Sequence, residues 1–321
     1  MSSTSKGTFE LSANRRALLE ALLNEQGIRP PAFERIPRRE EGGLAPLSFA
    51  QQRLWFFDQF EPGSPAYNLL SAVLLQGKLD TVALERSFSE VTRRHESLRT
   101  TFDVREGKAV QIIAPPNPLH LQVIDITDLT ETKRDGIVHN LIHQQTLASF
   151  DLKRGPLLRV TLVRLKDDEH VLLLAMHHIV SDAWSIGVLV GEVVALYEGY
   201  AAGREVKLPE LPVQYADFAA WQRKWLQGDV LEKQFAYWRQ QLGGSLPVLE
   251  LPADRPRPAL QTYHGSSLSF SISSALSQSL KSLCKAESVT LFMMSLAVFK
   301  VLLSRYTGQE DLLVGSPIAN R

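Results

Sequence analysis

Val171-Leu172-Leu173-Leu174-Ala175-Met176-His177-His178-Ile179-Val180-Ser181-Asp182-Ala183-Trp184-Ser185 is the stretch from which the rest of the chain is read. Its first six residues are apolar without a break. That is far short of the ~20 residues that span a bilayer, and it is the length of a strand covered on both faces. Two histidines close the strand, and Ser181 or Asp182 then caps a helical pattern reaching residue 200. Successive side chains at a strand end point to opposite faces, so one imidazole can face a cleft while the other is anchored inside. A carboxylate five residues after the first histidine can hold backbone or an arginine and fix the turn. The same spacing also fits a satisfied core histidine pair beside an ordinary helix cap.

On the N-terminal side of this stretch the pattern predicts a helix capped by Ser48 and running to residue 60. A strand at 69–75 follows, then a helix capped by Asp80 that carries Leu84, Phe88 and Val91. Strands are expected at 98–104, 108–113 and 119–124, a helix at 131–148 and a further strand at 157–165. On the C-terminal side Gly203, Pro209 and Pro212 mark a boundary. Aromatic-rich helices are then expected at 215–226 and 231–242, a strand at 267–272, helices at 275–286 and 291–306, and a last strand at 311–316. The aromatic side chains of the first two, among them Trp221, Trp225, Phe235, Tyr237 and Trp238, read as core and lobe-interface packing. The N-terminus predicts a helix at 12–26, followed by a proline-bearing, charged stretch that reads as an extended linker. The expected division is therefore 1–45 for the N-terminal helix and linker, 46–208 for a first lobe and 209–321 for a partial second lobe.

The 35 basic and 35 acidic residues of this 321-residue chain cancel, which removes the long-range field that would draw in nucleic acid or an anionic membrane. Neither partner is expected. The single cysteine, Cys284, has no partner for a disulfide and no ligand spacing around it, so it reads as a buried thiol in a reducing, cytoplasmic setting. No phosphate-binding glycine loop and no metal cluster is legible, so no nucleotide, metal or other cofactor is expected to be bound by the chain. Leu242-Gly243-Gly244-Ser245-Leu246 reads as a loop after a helix.

His177-His178-Ile179-Val180-Ser181-Asp182-Ala183-Trp184-Ser185 closely resembles the HHxxxDxxS motif of condensation domains in nonribosomal peptide synthetases. Five more segments resemble that family in the family's order. They are Leu47-Ser48-Phe49-Ala50-Gln51-Gln52-Arg53-Leu54-Trp55, Arg94-His95-Glu96-Ser97-Leu98-Arg99-Thr100-Thr101-Phe102, Phe150-Asp151-Leu152 with Gly155-Pro156-Leu157-Leu158-Arg159, Tyr215-Ala216-Asp217-Phe218-Ala219-Ala220-Trp221 and Gly315-Ser316-Pro317-Ile318-Ala319-Asn320-Arg321. The resemblance implies an α/β, chloramphenicol-acetyltransferase-like fold, two lobes forming a V with the active site in a tunnel between them. It implies that an upstream donor carrier protein and a downstream acceptor carrier protein bring their substrates in on phosphopantetheine arms. The acceptor's amine would attack the donor's thioester to make an amide.

By position His178 matches the family's cleft histidine. An α-amine has a pKa of about 7.7–8.0, so little work is needed to free its lone pair. His178 is therefore read first as an orienting acceptor that takes the proton as the bond forms, and second as a strict general base. The resemblance makes His177 and Asp182 supporting members of the site, the first in the core and the second pairing with Arg321. Ser185 and Arg99 are expected to support the site structurally, and Arg53, Arg94 and Arg99 to be salt-bridged. Cyclisation domains carry aspartates in place of the histidine pair, and epimerisation domains usually have Ser-Trp where this chain has Trp184-Ser185. The Leu47 to Trp55 segment looks most like the subtype that joins an L-configured donor to an L-configured acceptor.

The chain departs from the pattern at Ala183, where the family commonly has glycine. Alanine costs on the order of 1 kcal/mol if φ is positive there and nothing if the residue opens a helix. Family members also continue well past the Gly315 to Arg321 segment, so a fragment or a shortened form is expected. The alternative from another class is a non-catalytic module that binds carrier or partner proteins. A stand-alone acyltransferase using coenzyme A thioesters is a third reading.

Overall fold

The computed structural model describes residues 36–40, 43–256 and 268–316, so the helix expected at 12–26 lies outside the described residues. In chain order the strands are β1 (Leu44–Pro46), β2 (Asn68–Gln76), β3 (Thr100–Arg105), β4 (Lys108–Ile113), β5 (Gln122–Asp125), β6 (Leu158–Lys166) and β7 (Glu169–His177). The helices are α1 (Phe49–Phe60), α2 (Thr81–Arg94), α3 (Glu131–Leu147), α4 (Ala183–Ala201), α5 (Tyr215–Trp225), α6 (Gly228–Gln241), α7 (Ser274–Ala286) and α8 (Leu291–Thr307).

β7 lies inside a four-stranded sheet of order β2-β7-β6-β5, antiparallel to both its neighbours, while β5 runs parallel to β6. Its apolar run is continuous because both faces are covered. Leu172, Leu174 and Met176 join Leu84, Phe88 and Val91 of α2 and Leu189, Val193 and Leu196 of α4. Val171 and Leu173 lie on the other face, with Ile137, Val138, Leu141 and Ile142 of α3 packed against them. Ala175, next along that face, enters a cluster with Leu47, Leu54, Phe102, Phe150 and Leu157. A period-two strand packed on both faces keeps its middle apolar, and the polar residues Glu169, His170 and His177 stand at the two ends of the ladder.

Side-chain caps set the starts of α1, α2 and α4. The Ser48 hydroxyl accepts from the Gln51 N–H at 3.1 Å and the Gln51 side-chain oxygen accepts from the Ser48 N–H at 2.9 Å, a reciprocal capping box at the head of α1. Asp80 accepts from the Ala83 N–H at 2.9 Å at the head of α2. α2 is in turn clamped to α4, because Arg94 and His95 both hold Glu192, at 3.1 and 2.7 Å.

Near its C-terminus α4 is crowded by the returning chain. A Cβ built on Gly199 would stand 1.8 Å from Cγ2 of Val206, which packs against the core. Gly187 in the same helix has nothing within 4 Å. Gly199→Ala should therefore lose ~1–3 kcal/mol through overpacking, more than the ~1 kcal/mol that alanine gains in a helix. Gly187→Ala should gain up to that ~1 kcal/mol. Urea-unfolding midpoints moving in opposite directions for the two variants are the expected result.

A second, three-stranded antiparallel sheet has the order β1-β4-β3. α5 packs against its β1 edge. Here the charged stretch read as linker turns out to be anchored. Arg38 donates to the carbonyls of Pro212 and Leu211, both at 2.8 Å. Arg39 bridges Glu96 at 2.6 Å and Asp217 at 2.8 Å.

Several sequence expectations need correction. Leu98 sits in a 3-10 turn, Glu96–Arg99, and the strand starts only at Thr100. The strand expected at 119–124 begins at Gln122, because the N–H groups of Leu119 and Leu121 are taken by side chains of Ser89 and Glu85 on α2. Residues 268–272 and 311–316 form no strand among the described residues. Leu268, Phe270 and Ile272 have the period of a strand but are exposed and meet no ladder partner among the described residues. The aromatic helices also differ from a plain core. Tyr215, Phe218, Trp221 and Trp225 form a continuous series of ring contacts of 5.3–6.0 Å, whereas Phe235, Tyr237 and Trp238 of α6 are exposed. Cys284 is a free, buried thiol on α7. No single described helix is long and apolar enough to cross a membrane.

Candidate functional site

The two histidines part company where β7 ends. His177 is the last ladder residue, paired in register with Asn68, and continues the face of Leu173 and Ala175. It is 3 % exposed and lies between the rings of Tyr67 and Phe150, at 6.4 and 6.2 Å. Its Nδ1 accepts the Ile179 N–H at 3.1 Å, so a proton on a neutral ring resides on Nε2. Burial, and after it the neighbouring His178, pushes the His177 pKa down from 6.5 to about 4.

The folded value lies below the unfolded one, so between them only the unfolded chain takes the proton. The stability from the neutral ring is fully present above pH 6.5 and is lost as pH falls towards 4, at up to about 1.4 kcal/mol per pH unit. Urea midpoints measured from pH 7 to 4.5 should fall more steeply for the native chain than for His177→Asn.

His178 lies beyond the ladder and is exposed. Its N–H donates to the Tyr67 carbonyl at 2.9 Å. Its Nδ1 stands 2.7 Å from the Ser181 carbonyl, which can only accept, so Nδ1 carries the hydrogen and Nε2 keeps a free lone pair. The turn that returns Ser181 to this ring is held at successive peptides. The Ile179 N–H goes to His177 Nδ1 at 3.1 Å and the Val180 N–H to the His177 carbonyl at 3.1 Å. The Ile179 carbonyl faces the Gln51 side-chain nitrogen at 3.5 Å.

Asp182 rather than Ser181 is the cap of α4. Its Oδ1 accepts from the Ser185 N–H at 2.8 Å and from the Ser185 hydroxyl at 2.6 Å. Ala183 is the first helical residue and is not among the described residues with positive φ, so the methyl group is accommodated without strain. Trp184 projects 67 % exposed from this first turn. Arg321 lies outside the described residues, and with it the expected pairing to Asp182. Arg99 donates to the Ala114 carbonyl and stands 3.8 Å from Glu96, at the 3-10 turn before β3. None of its bonds among the described residues reaches the 178–182 turn.

A cleft of 840 Å³ opens on the His177 side, lined by Trp55, Asp58, Phe102, Asp103, Phe150 and Asp151 among others. Burial, with Asp151 adding to it, raises the Asp58 carboxyl above the usual range. Neither His178 nor its turn lines this cleft. No group of three or more His, Cys, Asp or Glu side chains among the described residues is placed to hold a metal ion. What the residues do bring together is an exposed imidazole with one ring nitrogen committed and the other without a partner among the described residues, on a strand end. Such a group can take a proton from, or orient, an incoming nucleophile.

Sequence reasoning missed three contributors. The carbonyls of Tyr67 and Ser181 are main-chain atoms, and no side-chain pattern encodes them. Gln51 lies in the Leu47 to Trp55 segment, but its place beside Ile179 depends on a contact 128 residues away.

A family model described as "Condensation domain" matches residues 41–321. One of the linear gramicidin synthase proteins of Brevibacillus parabrevis is 49 % identical over 304 residues, covering 94 % of this chain and 4 % of that protein. Among solved structures, a four-domain nonribosomal peptide synthetase bound to AMP and glycine superposes with a TM-score of 0.74 at 26 % identity, over 91 % of this chain and 22 % of that one. The X-domain from teicoplanin biosynthesis, solved in complex with OxyB, superposes with a TM-score of 0.72 at 28 % identity, over 87 % and 60 %. This chain thus spans a small part of its curated relatives. Its α/β fold is that of the condensation-domain structures.

Proposed function

Because the chain belongs to the condensation-domain family of nonribosomal peptide synthetases, we propose that it joins two carrier-bound substrates through an amide, with His178 as the group that meets the attacking amine. The observation that carries this reading is the Nδ1–H donated to the Ser181 carbonyl at 2.7 Å, which leaves Nε2 free at an exposed strand end. The amine of an aminoacyl group on the acceptor's phosphopantetheine attacks the carbonyl carbon of the donor's thioester. The C–N bond forms, the C–S bond breaks, and the electron pair leaves with the donor thiolate. His178 Nε2 holds the amine with its lone pair aimed at the carbonyl, accepts its proton and returns that proton to the departing sulfur. His177 stays neutral in the core and Asp182 with Ser185 fixes the start of α4, so both act by holding His178 in place. The Leu47 to Trp55 segment supports an L-configured donor.

Intact-mass measurement of an aminoacyl carrier, mixed with this chain and a panel of acyl- and L-aminoacyl-loaded donor carriers, tests the reading. The expected result is a mass gain on the acceptor equal to the donor acyl group, larger with L than with D donors. A second reading is favoured by one observation, the similarity to an X-domain that was solved with a partner protein. Carrier binding without any mass gain across the panel would make that reading, a non-catalytic docking module, the better one.

A further inference from the structure

Among the hydrogen bonds that hold residues 178–181, all of them between described residues, one comes from a side chain outside the histidine motif, that of Gln51. Gln51 is 2 % exposed, in the first turn of α1. Its orientation is not a free choice. The side-chain oxygen is occupied by the Ser48 N–H at 2.9 Å, so the amide nitrogen must face the other way. There its two hydrogens meet two acceptors, the Gln111 side-chain oxygen at 3.0 Å and the Ile179 carbonyl at 3.5 Å. Gln111, 1 % exposed on β4, is fixed in the same sense because its nitrogen donates to the Pro46 carbonyl at 2.7 Å. The result is a buried pair of amides, each held in one orientation, with donation running outward from the Gln51 nitrogen: one hydrogen goes to Gln111 and through it to Pro46 of β1, the other to the residue after His178. Burying two amides for packing alone would be costly, and here their bonds have one addressee in the motif.

We infer that Gln51 is a positioning residue for His178. It holds the Ile179 carbonyl so that the turn brings the Ser181 carbonyl back to Nδ1, and it thereby keeps the imidazole in the tautomer whose Nε2 is free. The inference rests on the role of His178 proposed above and extends it to a residue on another element. Ser48 ties the same capping box to α5, since its hydroxyl lies 2.9 Å from the Tyr215 hydroxyl, and the Phe49 N–H donates to the Gln222 side-chain oxygen at 3.0 Å. The platform that sets the His178 tautomer thus reaches from the central sheet to α5.

The test is ¹⁵N NMR of the histidine-labelled chain above the imidazole pKa, comparing the native protein with Gln51→Glu and Gln51→Met. Gln51→Glu keeps the shape and replaces the donor by an acceptor. Gln51→Met removes the polar group without adding charge, and it decides the matter if the first variant does not fold. Thermal midpoints establish which variants are folded. In a folded variant the ratio of Nδ1–H to Nε2–H tautomer at His178 is expected to fall ~10-fold, the size of one lost hydrogen bond. Carrier-to-carrier transfer should lose kcat by a similar factor with KM unchanged. A ratio within twofold of the native value in folded Gln51→Met would overturn the inference. Failure of the native chain to form any amide would instead count against the function proposed for His178, and would leave the tautomer measurement readable.

Discussion

His178→Ala is expected to lower amide formation between loaded carriers by ~10²–10⁴-fold while leaving the fold and the affinity for carriers intact. The size follows from what is removed. Nε2 is the free basic atom of this turn, and the proton that leaves the amine has no other acceptor in the 178–182 turn with an unused lone pair on a fixed ring. Intact folding follows from exposure: the ring lies outside the β7 ladder and in none of the apolar clusters. The measurement is single-turnover mass spectrometry at saturating carriers beside circular dichroism of the same sample. His178→Ala with native rates would remove this residue from the chemistry. His177→Ala should behave differently, because it empties a buried site and leaves the Ile179 N–H without an acceptor, so stability falls together with rate.

Arg39→Met carries the largest expected effect on stability, ~3–5 kcal/mol. The guanidinium sits between two carboxylates, with the Glu96 and Asp217 side chains 18 % and 5 % exposed. Methionine keeps much of the stem volume, leaves Asp217 without its cation and leaves Glu96 only the more distant Arg99 at 3.8 Å. Arg39→Lys should recover only part of the loss, because one ammonium cannot reproduce two nitrogens placed 2.6 and 2.8 Å from separate partners. The contrast is Arg93, 58 % exposed and paired with Glu90 on the same helix, where replacement by alanine should change stability by less than ~1 kcal/mol. Chemical denaturation of the three variants measures the difference. An Arg39→Met midpoint as close to native as that of Arg93→Ala would mean the bridge adds nothing.

Most of the elements between residues 46 and 208 were legible, and the reason can be read from particular residues. Ser48 and Asp80 mark helix starts, Ser181 or Asp182 marks a third that falls to Asp182, and the run from Val171 to Met176 reads as a strand buried on both faces. These are local signals, fixed by dihedral preference and period. What escaped was set by distance. Arg38 and Arg39 look like a solvated charge run until Leu211, Pro212 and Asp217 are brought to them. Leu119 and Leu121 have the pattern of a strand, but Ser89 and Glu85 take their N–H groups first. Leu268, Phe270 and Ile272 show that alternation alone makes no strand, since a ladder needs a second chain segment in register. At the site, the alternation of His177 and His178 could be argued from the strand end, whereas the carbonyl that sets the tautomer could not.

The anchoring of Arg38 and Arg39 also orders events in time. Glu96 follows Arg39 by 57 residues, but Pro212, Leu211 and Asp217 lie 173 to 178 residues further along the chain than the arginines they meet. At a synthesis rate of ~5–20 residues per second, roughly 9 to 36 s separate the emergence of the two arginines from that of Leu211, Pro212 and Asp217. Both sheets and the histidine turn are complete in sequence before then, so they can form while the α5 side of this seam is still open. The strap is completed only when α5 arrives; until then Glu96 is the carboxylate available to Arg39.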